Sequence, residues 1–205
     1  GDVRTTYLWH KALTRDSLMD ILARFIHLDV EENTVVTDKG IKRHRKESMI
    51  FPRYHQLGAV RELTAHAQAN GSGHNYLIQH SAGSGKSNSI AWLTYRLAGL
   101  QSVEMKNMFN SVFVITDRRV LNKQLQSTIL GFDHIDGQIE TITDSDNSEK
   151  LARIINDDNT RIVITTLHRF PVIYKELTSR SGKRYAIIVD EAHKLPETAQ
   201  QMLGV

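Results

Sequence analysis

The sequence predicts an α/β domain built on a parallel β-sheet with helices on both faces, preceded by an N-terminal extension. Short, nearly continuous apolar runs rich in β-branched residues recur from residue 76 onward. Amphipathic segments of helical length separate these runs. Strands buried on both faces have this apolar texture, and helices between them form the crossovers of a parallel sheet.

The apolar runs place the strands, and the segments between them place the helices. Strands are predicted at Tyr76–Ile78, Val112–Ile115, Arg161–Ile164 and Ala186–Val189, with a weaker one at Ile139–Ile142. Helical periodicity favours helices at Arg53–Ala69, Ser87–Leu100, Val120–Thr128 and Ser148–Asp157. The glycine-rich cluster Asn70–Gly73 ends the first of these helices.

The extension is predicted to hold a helix at Thr14–Leu28, followed by a hairpin whose turn is Asp38–Gly40. The texture changes near Phe51, so residues 1–50 are assigned to the extension and residues 51–205 to the domain. The stretch Lys39–Lys46 holds five Lys or Arg and one His in eight residues. It is either a phosphate-contacting patch or a solvated basic surface.

The composition limits the class of protein. A hydrophobic fraction of 40% is that of a globular chain with a core, which argues against disorder. Absence of cysteine excludes disulfides and thiolate chemistry, and no apolar run is long enough for a transmembrane helix. We therefore expect a cytoplasmic protein without a membrane partner. A net charge of +3 permits an anionic partner without requiring one.

A phosphate-binding loop follows the first predicted strand, at His80–Ser87 (HSAGSGKS). Glycines let backbone N–H groups curl around phosphate oxygens, and the helix that follows adds unpaired N–H groups and a positive dipole end. Lys86 is predicted to reach the β- and γ-phosphates of ATP, and the Ser87 hydroxyl to bind Mg²⁺. His80 stands where the strict motif has glycine. The predicted nucleotide-binding residues of this segment are Ala82, Gly83, Ser84, Gly85, Lys86, Ser87 and Asn88.

An acidic box ends the last predicted strand, at Asp190–His193 (DEAH). Ligands of open α/β sheets bind at the carboxyl ends of the strands. Asp190 is therefore predicted to hold Mg²⁺, and Glu191 to orient and polarise the attacking water. Two acids after a strand also suit a simple helix cap, but the loop about a hundred residues upstream favours the catalytic interpretation.

A third element, Phe51–Gln56 (FPRYHQ), precedes the loop. The amide of Gln56 offers the donor and acceptor that pair with adenine, and Arg53 can stack on the base or contact phosphate. The alternative is an ordinary helix N-terminus with Pro52 near its start.

These segments resemble superfamily-two helicases, and more narrowly the motor subunit of type I restriction-modification enzymes. The likeness lies, in the family's order, in Ile50–Gln56, Tyr76–Ser89, Val112–Leu125, Ile162–Phe170 and Ile187–Lys194. It implies a RecA-like first motor domain. It also implies ATP-driven translocation of double-stranded DNA in a complex with methyltransferase and specificity subunits.

The resemblance implies that two strand-end motifs contact the DNA backbone. The residues concerned are Thr116, Arg118, Arg119, Thr166 and Arg169. Arginines at strand ends offer charge-assisted bonds to phosphates without reading sequence. The alternative is that they are surface charges at helix starts.

No segment here matches the family's nuclease domain or its second motor lobe, which supplies arginine fingers. We therefore expect a fragment that hydrolyses ATP slowly on its own, because such fingers accelerate hydrolysis by about 10³–10⁵. Two other interpretations stay open. One is a different superfamily-two helicase or remodelling ATPase that acts on DNA or RNA, and the other is a regulatory nucleotide-binding module.

Overall fold

The computed structural model describes residues 6–37, 40–81, 83–117, 119–132, 137–179 and 182–204. Among these, the side chains of residues 31–37, 40–44 and 119–124 are outside the description. The chain divides into two compact units, Gly1–Tyr54 and His55–Val205.

The first unit contains a helix and a long hairpin. A π-helical turn at Leu8–Ala12 precedes α1 (Arg15–Arg24), and β1 (His27–Thr37) pairs antiparallel with β2 (Gly40–Ile50). The predicted hairpin is therefore confirmed and is longer than expected. The predicted helix end at Leu28 is wrong, because His27 and Leu28 pair with β2 as the first residues of β1.

The predicted basic stretch lies mostly on β2. Lys39 and the side chains of residues 40–44 are outside the described part of the chain. Of the two remaining basic residues, Arg45 forms an exposed ion pair with Glu47, with its guanidinium 2.8 Å from the carboxylate.

The second unit is a four-stranded parallel sheet flanked by helices, as the sequence predicts. Its strands are β3 (Ser111–Thr116), β4 (Ile139–Ile142), β5 (Ile162–Thr166) and β6 (Tyr185–Val189), in the spatial order β4-β5-β3-β6. Its main helices are α2 (Tyr54–Asn70), α3 (Lys86–Ala98), α4 (Arg119–Leu130), α5 (Ser148–Asn156), α6 (Phe170–Thr178) and α7 (Glu197–Leu203). A 3₁₀ turn at Ala192–Lys194 follows β6.

The two central strands are buried along nearly their whole length. Helices α5 and α6 pack on the face that carries Phe113 and Val163. Helices α3 and α4 contact the same strands, whose alternate residues Val112 and Val114 are also fully buried. Burial on both faces explains the continuous apolar runs, since no residue of these strands needs to face water.

The predicted strand Tyr76–Ile78 is not formed, and that prediction is wrong. Residues 74–81 have no regular secondary structure, and Leu77 is 85% exposed. Side chains of the segment are held by helical elements instead: the Tyr76 hydroxyl lies 2.7 Å from Nδ1 of His66, and Asn75 donates to the carbonyl of Gly204. An apolar run becomes a strand only where its backbone finds a ladder partner.

Helices α6 and α7 were not predicted. In α6, Pro171 occupies the first turn, where a missing N–H costs nothing, and Phe170, Ile173 and Leu177 are buried. Among the described residues, no helix is both long enough and apolar enough to cross a membrane.

Candidate nucleotide-binding site

The glycine-rich loop has the backbone shape that its glycines permit. Gly83 has φ 72° and Gly85 has φ 83°, in the left-handed region that side chains with a Cβ rarely adopt. Helix α3 begins at Lys86, immediately after Gly85. The loop therefore delivers the unpaired N–H groups of a helix start, and the ammonium of Lys86, to one place. Ala82 lies outside the described residues.

The N-terminus of α2 contacts this loop from behind. The side-chain amide of Gln56 donates to the carbonyls of Ser84 at 3.3 Å and Gly85 at 2.9 Å, and Gln56 is only 3% exposed. A Cβ added at Gly85 would lie 2.5 Å from Nε2 of Gln56. Glycine at position 85 is thus favoured by its φ, and a larger residue there would in addition have to displace the Gln56 amide from the loop.

This arrangement was missed by sequence reasoning, which assigned Gln56 to adenine. Here the amide nitrogen of Gln56 is used by the loop backbone. The adenine contact stays a prediction. Arg53 belongs to the first unit, and its predicted nucleotide contact also stays a prediction.

His80 packs against His55 at the entry to the loop. The ring centroids are 4.9 Å apart and the rings are nearly perpendicular. Nε2 of His55 lies 3.3 Å from the carbonyl of Ser84. Burial lowers the pKa of His80, and the nearby charges of His55 and Lys86 lower it further. His80 is therefore neutral at neutral pH and adds no positive charge beside Lys86.

The acidic box lies at the carboxyl end of β6, as predicted. The backbone N–H of Asp190 donates to the carbonyl of Ile115 in β3, which fixes the box beside the end of that strand. Burial raises the pKa of Asp190, and the charge of Glu191 raises it further, while Lys86 opposes both. Glu191 has φ 54° and ψ 49°, an uncommon conformation for a non-glycine residue that is typical of functional sites.

Lys86 and Glu191 bring the loop and the box together. Nζ of Lys86 lies 3.0 Å from Oε1 of Glu191, and the Lys86 hydrogen bond lowers the pKa of the Glu191 carboxyl. Nδ1 of His193 is 3.5 Å from the other carboxylate oxygen. Lys86 and Glu191 are 105 residues apart in sequence, and their contact joins the loop and the acidic box into one site.

The oxygen donors at this site fit Mg²⁺. Ser87 supplies a hydroxyl in the first turn of α3, and Asp190 supplies a carboxylate whose neighbour Glu191 adds negative charge. Mg²⁺ in nucleotide sites is held by one or two protein oxygens together with phosphates and water. Within the described residues no cluster of three or more His, Cys, Asp or Glu is present, and a site of this kind needs none.

The residues predicted to contact DNA are only partly accessible. Thr116 is fully buried, and Thr166 is 3% exposed and donates to the carboxylate of Asp144 at 2.8 Å. Neither hydroxyl is therefore exposed in this structure, and the predicted DNA contacts of these two threonines stay predictions. The Arg169 guanidinium donates to the carbonyls of Thr143 and Asp146, which is a structural role. Arg118 and the side chain of Arg119 lie outside the described residues.

The fold and the site define a class of protein: a nucleotide-binding domain in which a phosphate-binding loop and an acidic strand end meet at one edge of a parallel sheet. The sequence model of the SWI2/SNF2 ATPase family matches residues 55–202, and the chain belongs to that family. ATP use follows from this membership, which confirms the predicted helicase-type ATPase.

One similar protein carries a more specific description. A putative type I restriction enzyme MjaVIIIP endonuclease subunit of Methanocaldococcus jannaschii is 25% identical to this chain. The alignment covers 92% of this chain and 20% of that relative, so the chain spans about a fifth of the relative's length.

Proposed function

We propose that this chain is the ATP-binding motor domain of the restriction subunit of a type I restriction-modification enzyme. In this proposal, an ATP-dependent site-specific deoxyribonuclease hydrolyses ATP to translocate double-stranded DNA before it cuts. The observation that carries the ATPase part is the convergence of Lys86 and Glu191, 3.0 Å apart. The similar restriction enzyme subunit supports the finer assignment.

The site residues divide the chemistry among them. The backbone amides around Gly83 and Gly85, with Lys86, bind the triphosphate. Ser87 and Asp190 would hold Mg²⁺, and the bound ion would neutralise charge on the phosphates. Glu191 is ionised at neutral pH, and its lowered pKa keeps it so; its carboxylate accepts a hydrogen bond from the attacking water and orients it toward the γ-phosphate.

DNA binding in this proposal depends on positive charge near the end of β3. Arg118 and Arg119 are the second and third residues after β3 and would contact phosphates of either DNA strand without reading bases. Arg169 would add charge from the end of β5 while its guanidinium braces the neighbouring loop. The methyltransferase and specificity subunits of the complex would supply the recognition sequence, and the assembly would act in the cytoplasm.

A second candidate is a nucleic-acid remodelling or repair motor outside restriction. Membership of the SWI2/SNF2 ATPase family favours it, because that membership does not depend on the restriction-like relative. A nuclease encoded in the same reading frame would favour restriction. A regulatory module, the third possibility, would bind ATP without hydrolysis stimulated by nucleic acid.

The direct test is ATP hydrolysis by the full chain, measured alone, with duplex DNA and with single-stranded RNA. The proposal predicts hydrolysis that duplex DNA stimulates and that Lys86→Ala removes. Stimulation by RNA alone would move the assignment to the second candidate. Because a first motor lobe alone is expected to hydrolyse ATP slowly, the regulatory module is left only if neither duplex DNA nor RNA stimulates hydrolysis by the complete motor subunit.

A further inference from the structure

Lys194 connects the acidic box to the segment that follows β3. Its Nζ lies 2.8 Å from Oδ2 of Asp117, and the two side chains are 33% and 25% exposed. Asp117 is the first residue after β3, and Lys194 ends the 3₁₀ turn that follows Glu191.

Lys194 is directly hydrogen-bonded to Glu191 of the nucleotide site. The backbone N–H of Lys194 donates to the carbonyl of Glu191 at 2.9 Å, so both residues belong to one turn. The residue after this turn, Leu195, is buried in the same core cluster as Ile115 and holds the turn in place. A backbone rearrangement at Glu191, where φ is 54°, therefore has to move Lys194. Such a rearrangement is expected when Lys86 exchanges Glu191 for a phosphate, since both anions need the same ammonium.

Asp117, the partner of Lys194, immediately precedes the residues proposed to bind DNA. Asp117 is followed directly by Arg118 and Arg119, and α4 begins at Arg119. Asp117 is therefore only one and two peptide units away from the proposed phosphate contacts, so a change in the backbone at Asp117 would also displace them.

The ion pair is poorly explained by stability alone. Pairs as exposed as this one contribute little to the stability of a fold, because water screens them and ordering two side chains costs entropy. The pair does fix the distance between the turn that follows Glu191 and the segment that follows β3, which are proposed to serve nucleotide and DNA binding.

We propose that the Lys194–Asp117 ion pair is a positioning contact that couples nucleotide binding to DNA binding. The inference rests on the proposed function, because it presupposes both ligands. Neither residue touches ATP or DNA in this account. Each acts by holding the acidic box and the Arg118–Arg119 segment in register.

The experiment measures coupling rather than affinity. The dissociation constant of the full chain for a fluorescein-labelled DNA duplex is determined with and without Mg²⁺ and adenylyl imidodiphosphate, and the ratio of the two is the coupling factor. For the unmodified chain we expect a factor of about five or more in either direction. Lys194→Met and Asp117→Asn should each bring this factor closer to one, by about threefold or more.

A matched control is available in the same unit. Lys183 forms an ion pair with Asp158 at 2.9 Å, and its side chain is 28% exposed, close to the value for Lys194. It precedes β6 and therefore lies at the opposite end of that strand from the acidic box. Lys183→Met should leave the coupling factor unchanged.

The double variant Lys194→Met/Asp117→Asn should lose no more coupling than either single variant, and the exchanged pair Lys194→Asp/Asp117→Lys should recover part of it. Unchanged coupling in the single variants, additive losses in the double variant, or a coupling factor of one in the unmodified chain would each overturn the inference alone. Failure of the unmodified chain to bind the nucleotide would instead overturn the proposed function beneath it.

Discussion

The ammonium of Lys86 and the carboxylate of Glu191 form a 3.0 Å ion pair between the start of α3 and the end of β6. Lys86 therefore has a carboxylate partner that any triphosphate must compete with. The same contact lowers the pKa of Glu191, so this residue is held ionised, in the form that accepts a proton or a hydrogen bond.

Replacing Glu191 should separate binding from hydrolysis. In Glu191→Gln the competing charge is removed, so affinity for Mg²⁺-ATP should stay the same or rise. Hydrolysis should fall by about 10²–10⁴, the usual contribution of a positioned acid–base group. Equilibrium binding measured on this chain checks the first part, and phosphate release measured on the complete motor subunit checks the second. Glu149→Gln, an exposed acid in the first turn of α5, serves as the control and should change neither. Normal turnover by Glu191→Gln would show that its role is misassigned.

Alanine at position 85 should weaken nucleotide binding, whereas alanine at position 71 should not. Both have positive φ, 83° and 75°, so alanine at either should cost about 1–2 kcal/mol in the free energy of unfolding. Only at Gly85 would the new Cβ meet a neighbour, Nε2 of Gln56 at 2.5 Å, whereas Gly71 has nothing within 4 Å. Gly85→Ala should therefore lose nucleotide affinity and Gly71→Ala should keep it. Equal affinities in the two variants, measured by calorimetric titration, would argue against the close approach.

Gln56→Ala should weaken the binding of inorganic tripolyphosphate as well as that of ATP. The amide of Gln56 supports the loop carbonyls of Ser84 and Gly85, and the loop binds the phosphates that both ligands share. Loss of two hydrogen bonds of ordinary strength predicts about a tenfold effect. Gln126→Ala, whose amide bonds to Thr141 away from the loop, is the control. A clearly larger loss for ATP would assign an adenine contact to Gln56 after all.

Charge reversal after β3 should alter the salt dependence of DNA binding. Arg119→Glu is expected to lower DNA affinity and to flatten the plot of log affinity against log salt by about one to two charges. Arg184→Glu makes the same charge change at an exposed residue just before β6. Arg184 lies at the amino end of its strand, whereas Arg119 follows the carboxyl end of β3, so this control should leave the slope unchanged. If the two variants have the same slope, Arg119 is a surface charge and makes no contact with phosphate.

The sequence was sufficient for the parts of the fold where local pattern and tertiary environment agree. Strands β3 and β5 are buried on both faces, so their apolar runs are continuous and identify them as strands in the sequence. The loop around Gly85 and the acids after β6 were also found. Phosphate binding requires glycines with positive φ before a helix, and metal binding requires oxygen donors at strand ends.

The missed features depend on contacts between distant segments. Tyr76–Ile78 has the composition of a strand, but whether it forms one depends on an available edge, which composition does not encode. The Gln56 contact with Gly85 links residues 29 apart. The burial of Thr116 is likewise invisible in a motif, which records residue types at a strand end but not which of them face the core.

The central claim is that the loop around Lys86 binds the phosphates of ATP. The most direct measurement is equilibrium titration of the full chain with Mg²⁺-ATP, comparing the unmodified protein with Lys86→Ala and Lys183→Ala. A charge-assisted bond of about 1.5–3 kcal/mol predicts that Lys86→Ala binds about 10- to 150-fold more weakly, and Lys183→Ala should bind normally. Equal affinity in the unmodified protein and in Lys86→Ala would contradict the assignment of this site.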